Sequence, residues 1–191
     1  MRYWVTADTH FYHDNIINYC GRPFINVNQM NKVLLKNWND TVGKDDVVFF
    51  VGDFSFGDRD TINKLLRKLK GNKIFIKGNH DRVHAIPKII QSIIIQYSNY
   101  NIKLLHNPNK VKEYDHNIDF YITAHCHQRW KTRVFKIRNY IDESRPYYVP
   151  LINCGVDVWN YKPIELKHIV RTYQEMRHEI EKKNKASANK R

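Results

Sequence analysis

The sequence predicts a single domain of the α/β (α+β) class, in which two packed mixed β-sheets are flanked by helices. Three observations carry this. Helix-period and strand-period patterns alternate early in the chain, whereas strand-like runs dominate later, an order that suits two packed sheets with helices outside. The run Val47–Val51 reads Val-Val-Phe-Phe-Val with no alternation, as expected of a strand buried on both faces. A length of 191 residues with 42% hydrophobic and 13% aromatic content supports one substantial core and argues against global disorder.

A strand from Tyr3 to Thr6 opens the chain, and a short helical stretch with Ile16, Ile17 and Tyr19 stops at Cys20-Gly21 before Pro23. Met30, Val33, Leu34, Trp38 and Val42 recur at three- and four-residue steps, which predicts a helix over 27–42 with one buried stripe. The turn Gly43-Lys44-Asp45-Asp46 leads into the buried run at Val47. From Asp58 to Leu69, Ile62, Leu65, Leu66 and Leu69 mark a second amphipathic helix that Gly71 ends. Lys73–Lys77, Ile102–Leu105 and Phe120–Thr123 read as strands. The segment 87–97 is dense in β-branched residues and reads as a helix turn followed by a strand. Thr132–Ile137 and Tyr147–Asn153 are strand-like arms around the polar stretch 138–146. Leu166, Ile169, Val170, Tyr173, Met176 and Ile180 predict a final helix. The domain is thus expected over 1–181. Residues 182–191, with Lys182, Lys183, Lys185, Lys190 and Arg191, have nothing to bury and read as a basic flexible tail.

Net charge is +13 and uneven. Residues 1–60 hold 6 Lys/Arg against 8 Asp/Glu, and residues 61–191 hold 26 against 11. A basic surface attracts phosphate-bearing partners. Abundant Asn, Ile, Lys and Tyr also fit AT-biased coding, which would raise Lys without any such partner. Arg129, Arg133, Arg138 and Arg145 are less explained by such bias, and they lean toward substrate. Three cysteines, Cys20, Cys126 and Cys154, are sparse and odd in number, so reduced thiols and a cytoplasmic setting are expected. The most apolar run, 86–95, is interrupted by Pro87, Lys88, Gln91 and Ser92, which argues against a membrane span. The N-terminus leads directly into Asp8, so a cleavable signal is not expected.

The informative polar residues follow the strand-like runs. Asp8-Thr9-His10 comes after the first, Gly52-Asp53 after the second, Gly78-Asn79-His80-Asp81 after the third, His106 and His125-Cys126-His127 after later ones. Side chains placed just past successive strands converge at one edge of a sheet. Mixed oxygen and imidazole donors without a thiolate set suit Mn, Fe, Zn or Ni better than Ca or an iron–sulfur cluster. One central Asp can bridge two ions, and two closely spaced ions are the usual tool for displacement at phosphorus. The residues therefore point to a two-metal phosphoester hydrolase.

This ordered pattern, D-x-H, G-D, G-N-H-D, H and H-x-H, resembles the calcineurin-like metallophosphoesterases. Asn153-Cys154-Gly155-Val156-Asp157-Val158-Trp159 looks like the closing strand and turn of small members. The resemblance implies an αββα sandwich. It implies one metal on Asp8, His10 and His127, a second on Asn79, His106 and His125, and Asp53 between them. It implies a metal-bridging hydroxide that attacks phosphorus in line, with His80 as the catalytic histidine helping the leaving group. From its position beside His80, Asp81 would orient that ring or raise its pKa, or else cap a following turn; His13, three beyond His10, would face substrate or else be a solvent-exposed helix residue. One departure is visible. The family has Gly before the paired histidines where this chain has Ala124, and a positive φ there would strain it.

The expected function is phosphodiester hydrolysis on a nucleotide or nucleic-acid substrate with two divalent ions, Mn²⁺ first, then Fe, Zn or Ni. Arg129 and Arg133 are candidate substrate contacts. Trp130, Phe135, Tyr140, Tyr147, Tyr148 and Trp159 are candidate base-stacking residues, or else core and cross-strand pairs. The alternatives are a phosphomonoesterase or phosphoprotein phosphatase and, from another class, a non-catalytic nucleic-acid-binding protein on the same scaffold.

Overall fold

The computed structural model describes residues 1–81, 86, 88–112, 115–137 and 147–188. Arg138, Tyr140 and Arg145 lie outside the described residues. Two mixed sheets form the centre. In the first, β1 (Tyr3–Thr6) pairs in parallel with β2 (Val47–Val51), which pairs in parallel with β3 (Asn72–Ile76). The first strand's other neighbour is the antiparallel β9 (Ile164–Glu165). In the second sheet β5 (Tyr100–Leu104), β6 (Phe120–Thr123) and β8 (Tyr147–Asn153) run parallel in that order. Antiparallel β4 (Ile93–Tyr97) and β7 (Thr132–Ile137) close its two edges. The helices are α1 (Ile16–Cys20), α2 (Val27–Thr41), α3 (Arg59–Lys68) and α4 (Leu166–Ala188).

Strand alternation sorts the core into layers. Trp4, Val48, Phe50 and Phe75 face outward from the first sheet onto Met30, Leu34 and Trp38 of α2 and Ile62 and Leu65 of α3. Val5, Phe49, Val51 and Ile76 point the other way, into one cluster with Ile102, Leu104, Phe120 and Ile122 of the second sheet. Leu166, Ile169, Val170 and Tyr173 of α4 join that cluster, and Tyr173 stacks on Phe120 at 4.4 Å. On the far face of the second sheet, Leu105, Val111, Tyr121, Val149 and Leu151 make a third cluster. Trp130, Phe135 and Tyr147 pack against it, which is the packing alternative of the two readings given for them.

The helix boundaries follow local chemistry. Gly21, at φ 58°, caps α1 in the left-handed region. Asn26 and Asp58 cap α2 and α3 by accepting from Gln29 N–H and Thr61 N–H. The segment 93–97 is the strand expected at the end of 87–97, and Ser98 and Asn99, both at positive φ, turn it back into β5 as a two-residue hairpin. Two features differ from expectation. The two-residue β9 carries too short a pattern to be read. Helix α4 runs past Glu181 to Ala188, because Asn184 accepts from Tyr148 N–H at 3.0 Å and donates to Tyr148 O at 3.3 Å. The expected tail is therefore tied to β8 at that point.

Asp46 ties the turn before β2 to the N-terminus. It accepts from Arg2 N–H at 2.8 Å, Trp4 Nε1 at 2.9 Å and Gly43 N–H at 2.9 Å. Burial opposes its charge, but the bonds from Trp4, Gly43 and Arg2, with the Arg2 guanidinium, outweigh it and hold the carboxyl well below the usual range. A depressed carboxylate contributes stability above its unfolded titration and loses it as acid rises. Asp46→Asn should lower the urea midpoint at neutral pH, and the gap should close as pH falls below about 4. A gap that stays constant with pH would contradict this role.

Candidate metal centre

The ends of β1, β2 and β3 in one sheet and of β5 and β6 in the other deliver the polar residues to one edge. Asp8 N–H donates to Gly52 O at 3.0 Å and His10 N–H to Asp53 O at 3.1 Å, which locks the first two loops together. The backbone is unusual there. Asp8, His10, Asp53, His125 and His127 have φ of 55°, 48°, 60°, 71° and 48°. Left-handed backbone is costly for side chains with a Cβ and clusters at functional sites. Asp8/His10 and His125/His127 thus converge through left-handed kinks, and not through the extended two-residue period expected. Ala124 is not among the positive-φ residues and is fully buried, so the change from Gly introduces no backbone strain.

Close approach explains the glycines. A Cβ on Gly52 would overlap the His106 ring, and one on Gly78 would overlap the Asp53 carboxylate. On Gly155 it would come to 2.7 Å from Asp8 Oδ2.

Two donor groups result. Asp8, His10 and His127 bring one ligand atom each within 4.8 Å of one another, and so do Asp53, His106 and His125. Asn79 Oδ1 joins the second group, 2.9 Å from His106 Nε2. Asp53 Oδ2 lies 3.6 Å from His10 Nε2 and 3.2 Å from His106 Nε2, between the two groups. The donor set fits cations. Asp8 Oδ1 and both ring nitrogens of His10 are buried without a hydrogen-bond partner, a state that a protein rarely leaves uncompensated. His106 Nδ1 donates to Val51 O at 2.8 Å, so Nε2 is the ring nitrogen that faces the oxygens of Asn79 and Asp53. Those oxygens call for a positive centre, the Nε2 proton in the free protein and a cation in its place when metal binds.

Burial sets the protonation of the groups without an ion. Desolvation raises Asp8 to about 6 against the opposing pull of His106 and His127, and lowers His10 to about 3. Burial also works against the charged forms of Asp53 and His127. The bond with His106 nevertheless brings Asp53 down to about 2, and the bond with Asp157 brings His127 up to about 10.

The residues that position this centre were only partly visible in the sequence. Asp81 was expected beside His80. Its Oδ2 instead accepts from Asp53 N–H at 2.8 Å and Gly78 N–H at 2.9 Å, and its Oδ1 from Phe54 N–H at 2.8 Å. It holds the Asp53 loop and makes no bond to the His80 ring among the described residues. His80 is exposed at the rim, its N–H donating to Asp53 Oδ1 at 2.9 Å. Arg22 went unread. Its guanidinium is fully buried and bonds Asp157 through Nε at 2.8 Å and Nη2 at 3.0 Å. It also donates to the carbonyls of Asp8 at 2.6 Å and Thr9 at 3.0 Å. Asp157 in turn accepts from His127 Nδ1 at 2.9 Å. Asn153 completes the frame, donating to the carbonyls of His127 and Trp130 at 2.8 Å each. An Arg beside a turn Gly and an Asp in a closing loop carry no periodicity, so only the fold reveals the pair.

The groups open into a cleft of about 320 Å³ lined by His10, His80, His125 and His127, with Arg129 on one side. His13, Tyr19 and Phe56 form an aromatic wall on it, with the His13 and Phe56 rings 4.0 Å apart. His13 Nδ1 accepts from Ile16 N–H at 2.9 Å. Arg133 is not brought to the cleft; it projects from β7 with its guanidinium 5.1 Å over the Phe135 ring. Cys126 belongs to neither donor group, whereas Cys20 lies beside His127 and Asp157. All three cysteines are free.

A family model described as calcineurin-like phosphoesterase matches residues 1–105. An uncharacterized protein of Methanocaldococcus jannaschii is 40% identical over 173 residues, which span 88% of this chain and 89% of that protein. The gene 66 protein of Mycobacterium phage L5 is 31% identical over 97 residues, 49% of this chain and 46% of its own length. Among solved structures, a protein of unknown function from Aquifex aeolicus superposes with a TM-score of 0.66 at 25% identity, covering 90% of this chain and 98% of the other.

The Arg22–Asp157–His127 chain yields a direct expectation. Partners that orient a ligating imidazole typically control metal affinity by 10–100-fold. Asp157→Asn should weaken Mn²⁺ binding at one of two sites by about that factor while the other is spared. Calorimetric titration that finds both sites unchanged, or both equally weakened, would contradict the assignment.

Proposed function

The chain belongs to the calcineurin-like phosphoesterases, and on that premise we propose that it hydrolyses phosphodiesters of a nucleotide or nucleic acid with two divalent ions, Mn²⁺ first among them. The observation that carries this reading is the pair of donor groups, Asp8, His10 and His127 beside Asn79, His106 and His125, with the Asp53 carboxylate between them. Bound ions would supply Lewis acidity at the phosphoryl oxygens and a nucleophile from water at neutral pH.

The chain's own residues do the rest. Asp53, made anionic by His106 and the His80 N–H, is the shared ligand. His80 stands at the exposed rim, in reach of a leaving oxygen, and is assigned general-acid help. Arg129 is assigned a non-bridging phosphoryl oxygen. His13, Tyr19 and Phe56 offer a flat apolar surface to a base or aryl group. A diester brings a second esterified group that such a wall can hold, which is why diester is preferred to monoester. No described helix is long and apolar enough to cross a membrane.

Hydrolysis of bis-p-nitrophenyl phosphate should exceed that of p-nitrophenyl phosphate with added Mn²⁺, and chelation should abolish both. The reverse preference would select the monoesterase, and no turnover with metal loaded would select the non-catalytic alternative. Asp53→Asn should lose at least one metal and nearly all turnover with the fold intact. His80→Ala should keep both metals and slow the reaction by about 10²–10⁴-fold. That defect should shrink for good leaving groups; a defect independent of leaving-group pKa would refute the proton-donor role.

A further inference from the structure

Resting on the diesterase reading, we propose that a single-stranded oligonucleotide reaches the metal centre along a lysine trough on its second-metal side. The trough consists of two adjoining cavities. One, of about 200 Å³, is floored by Gly78, Asn79 and His106 and walled by Lys77 and Lys110. The other, of about 480 Å³, holds Lys103, Lys110 and Lys112. They share Leu105 and Lys110, so the line is continuous from a ligand of the metal centre onto the far face of the second sheet.

The local sequence explains why the lysines line up. In β5, Ile102 and Leu104 point into the inter-sheet core, which turns Lys103 to the opposite face, beside Tyr121 of β6. After His106 the chain makes one short turn, Pro108–Lys110, that places Lys110 over the junction of the two cavities. Three lysines thus fall within a few residues of one ligand. None of Lys77, Lys103, Lys110 and Lys112 has a carboxylate partner among the described residues. Asp115 and His116 also line the outer cavity, and Asp115 is the acid there among the described residues.

Ammonium groups strung along a groove, without carboxylate partners among the described residues, are the footprint of a phosphate backbone bound without sequence readout. The metal donors Asp8, His10, Asp53 and His106 are all buried, so a phosphate must descend to them. A flexible single strand can do this more readily than a stiff duplex. The aromatic wall of Tyr19 and Phe56 at the other end of the centre offers the first base beyond the reacting phosphate a stacking surface.

The test is fluorescence anisotropy with a labelled twelve-nucleotide single strand, in chelator so that binding is read without cleavage. Lys103→Glu/Lys112→Glu should weaken binding at low salt on the order of tenfold or more, and should flatten the slope of log affinity against log salt by about 1.4. Lys103→Gln/Lys112→Gln gives the same flattening if the reversed variant does not fold. Equal affinity and slope in the variants, no binding by the wild-type protein, or tighter binding of the matching duplex would overturn the proposal. Wild-type hydrolysis of bis-p-nitrophenyl phosphate with Mn²⁺ is measured alongside. Its absence, with lysine-dependent binding intact, would refute the diesterase reading and leave the trough standing.

Discussion

Everything in this molecule depends on holding five candidate ligand residues in left-handed backbone with their side chains turned into one small volume. Asp8, His10, Asp53, His125 and His127 all adopt φ between 48° and 71°. Each such conformation costs of order 1–3 kcal/mol and persists only where the surroundings over-determine it. The surroundings here are explicit. Arg22 grips the carbonyls of Asp8 and Thr9, Asp81 grips the amides of Asp53, Phe54 and Gly78, and Asn153 grips the carbonyls of His127 and Trp130. Asp8 itself accepts from His125 N–H at 2.9 Å, which couples loops from the two sheets.

The sandwich supplies the rigidity that these bonds need. Parallel strands with both faces covered end at fixed positions, so the loop after each starts from a known point. Trp38, Phe50 and Phe54 are almost fully buried beneath the Asp53 loop, and the inter-sheet cluster sits beneath the Asp8 and His106 loops. Electrostatic tension then concentrates at the centre. Donors that burial would neutralise are kept close together, and Asp8 Oδ1 and both His10 ring nitrogens have no hydrogen-bond partner among the described residues.

Much of this was legible in the sequence because it was local. The nonalternating Val47–Val51 run, the stripe of Met30, Leu34 and Trp38, and the polar residues after strand-like runs all declared themselves through period and order. The kinks at Asp8 and His127 did not, since non-glycine left-handed backbone is imposed by tertiary hydrogen bonds and has no propensity signature. Arg22 and Asp157, far apart in sequence, look like a turn residue and a loop acid until the fold brings them together. Asp81 misled for the opposite reason. Adjacent to His80 in sequence, it turns inward to the Asp53 amide. Sequence left the aromatics of the basic half open between base stacking and packing; Phe135 and Tyr147 pack, partly buried, on the outer face of the second sheet, whereas Tyr19 and Phe56, near the N-terminal ligands, border the cleft.

The central claim is that Asp53 is a shared ligand of two ions. Anomalous diffraction at the manganese edge from crystals grown with Mn²⁺ tests it most directly. The account predicts two peaks a few ångströms apart, one against Asp8, His10 and His127, the other against Asn79, His106 and His125, with Asp53 in contact with both. A single peak, or a pair that Asp53 does not touch, would contradict it.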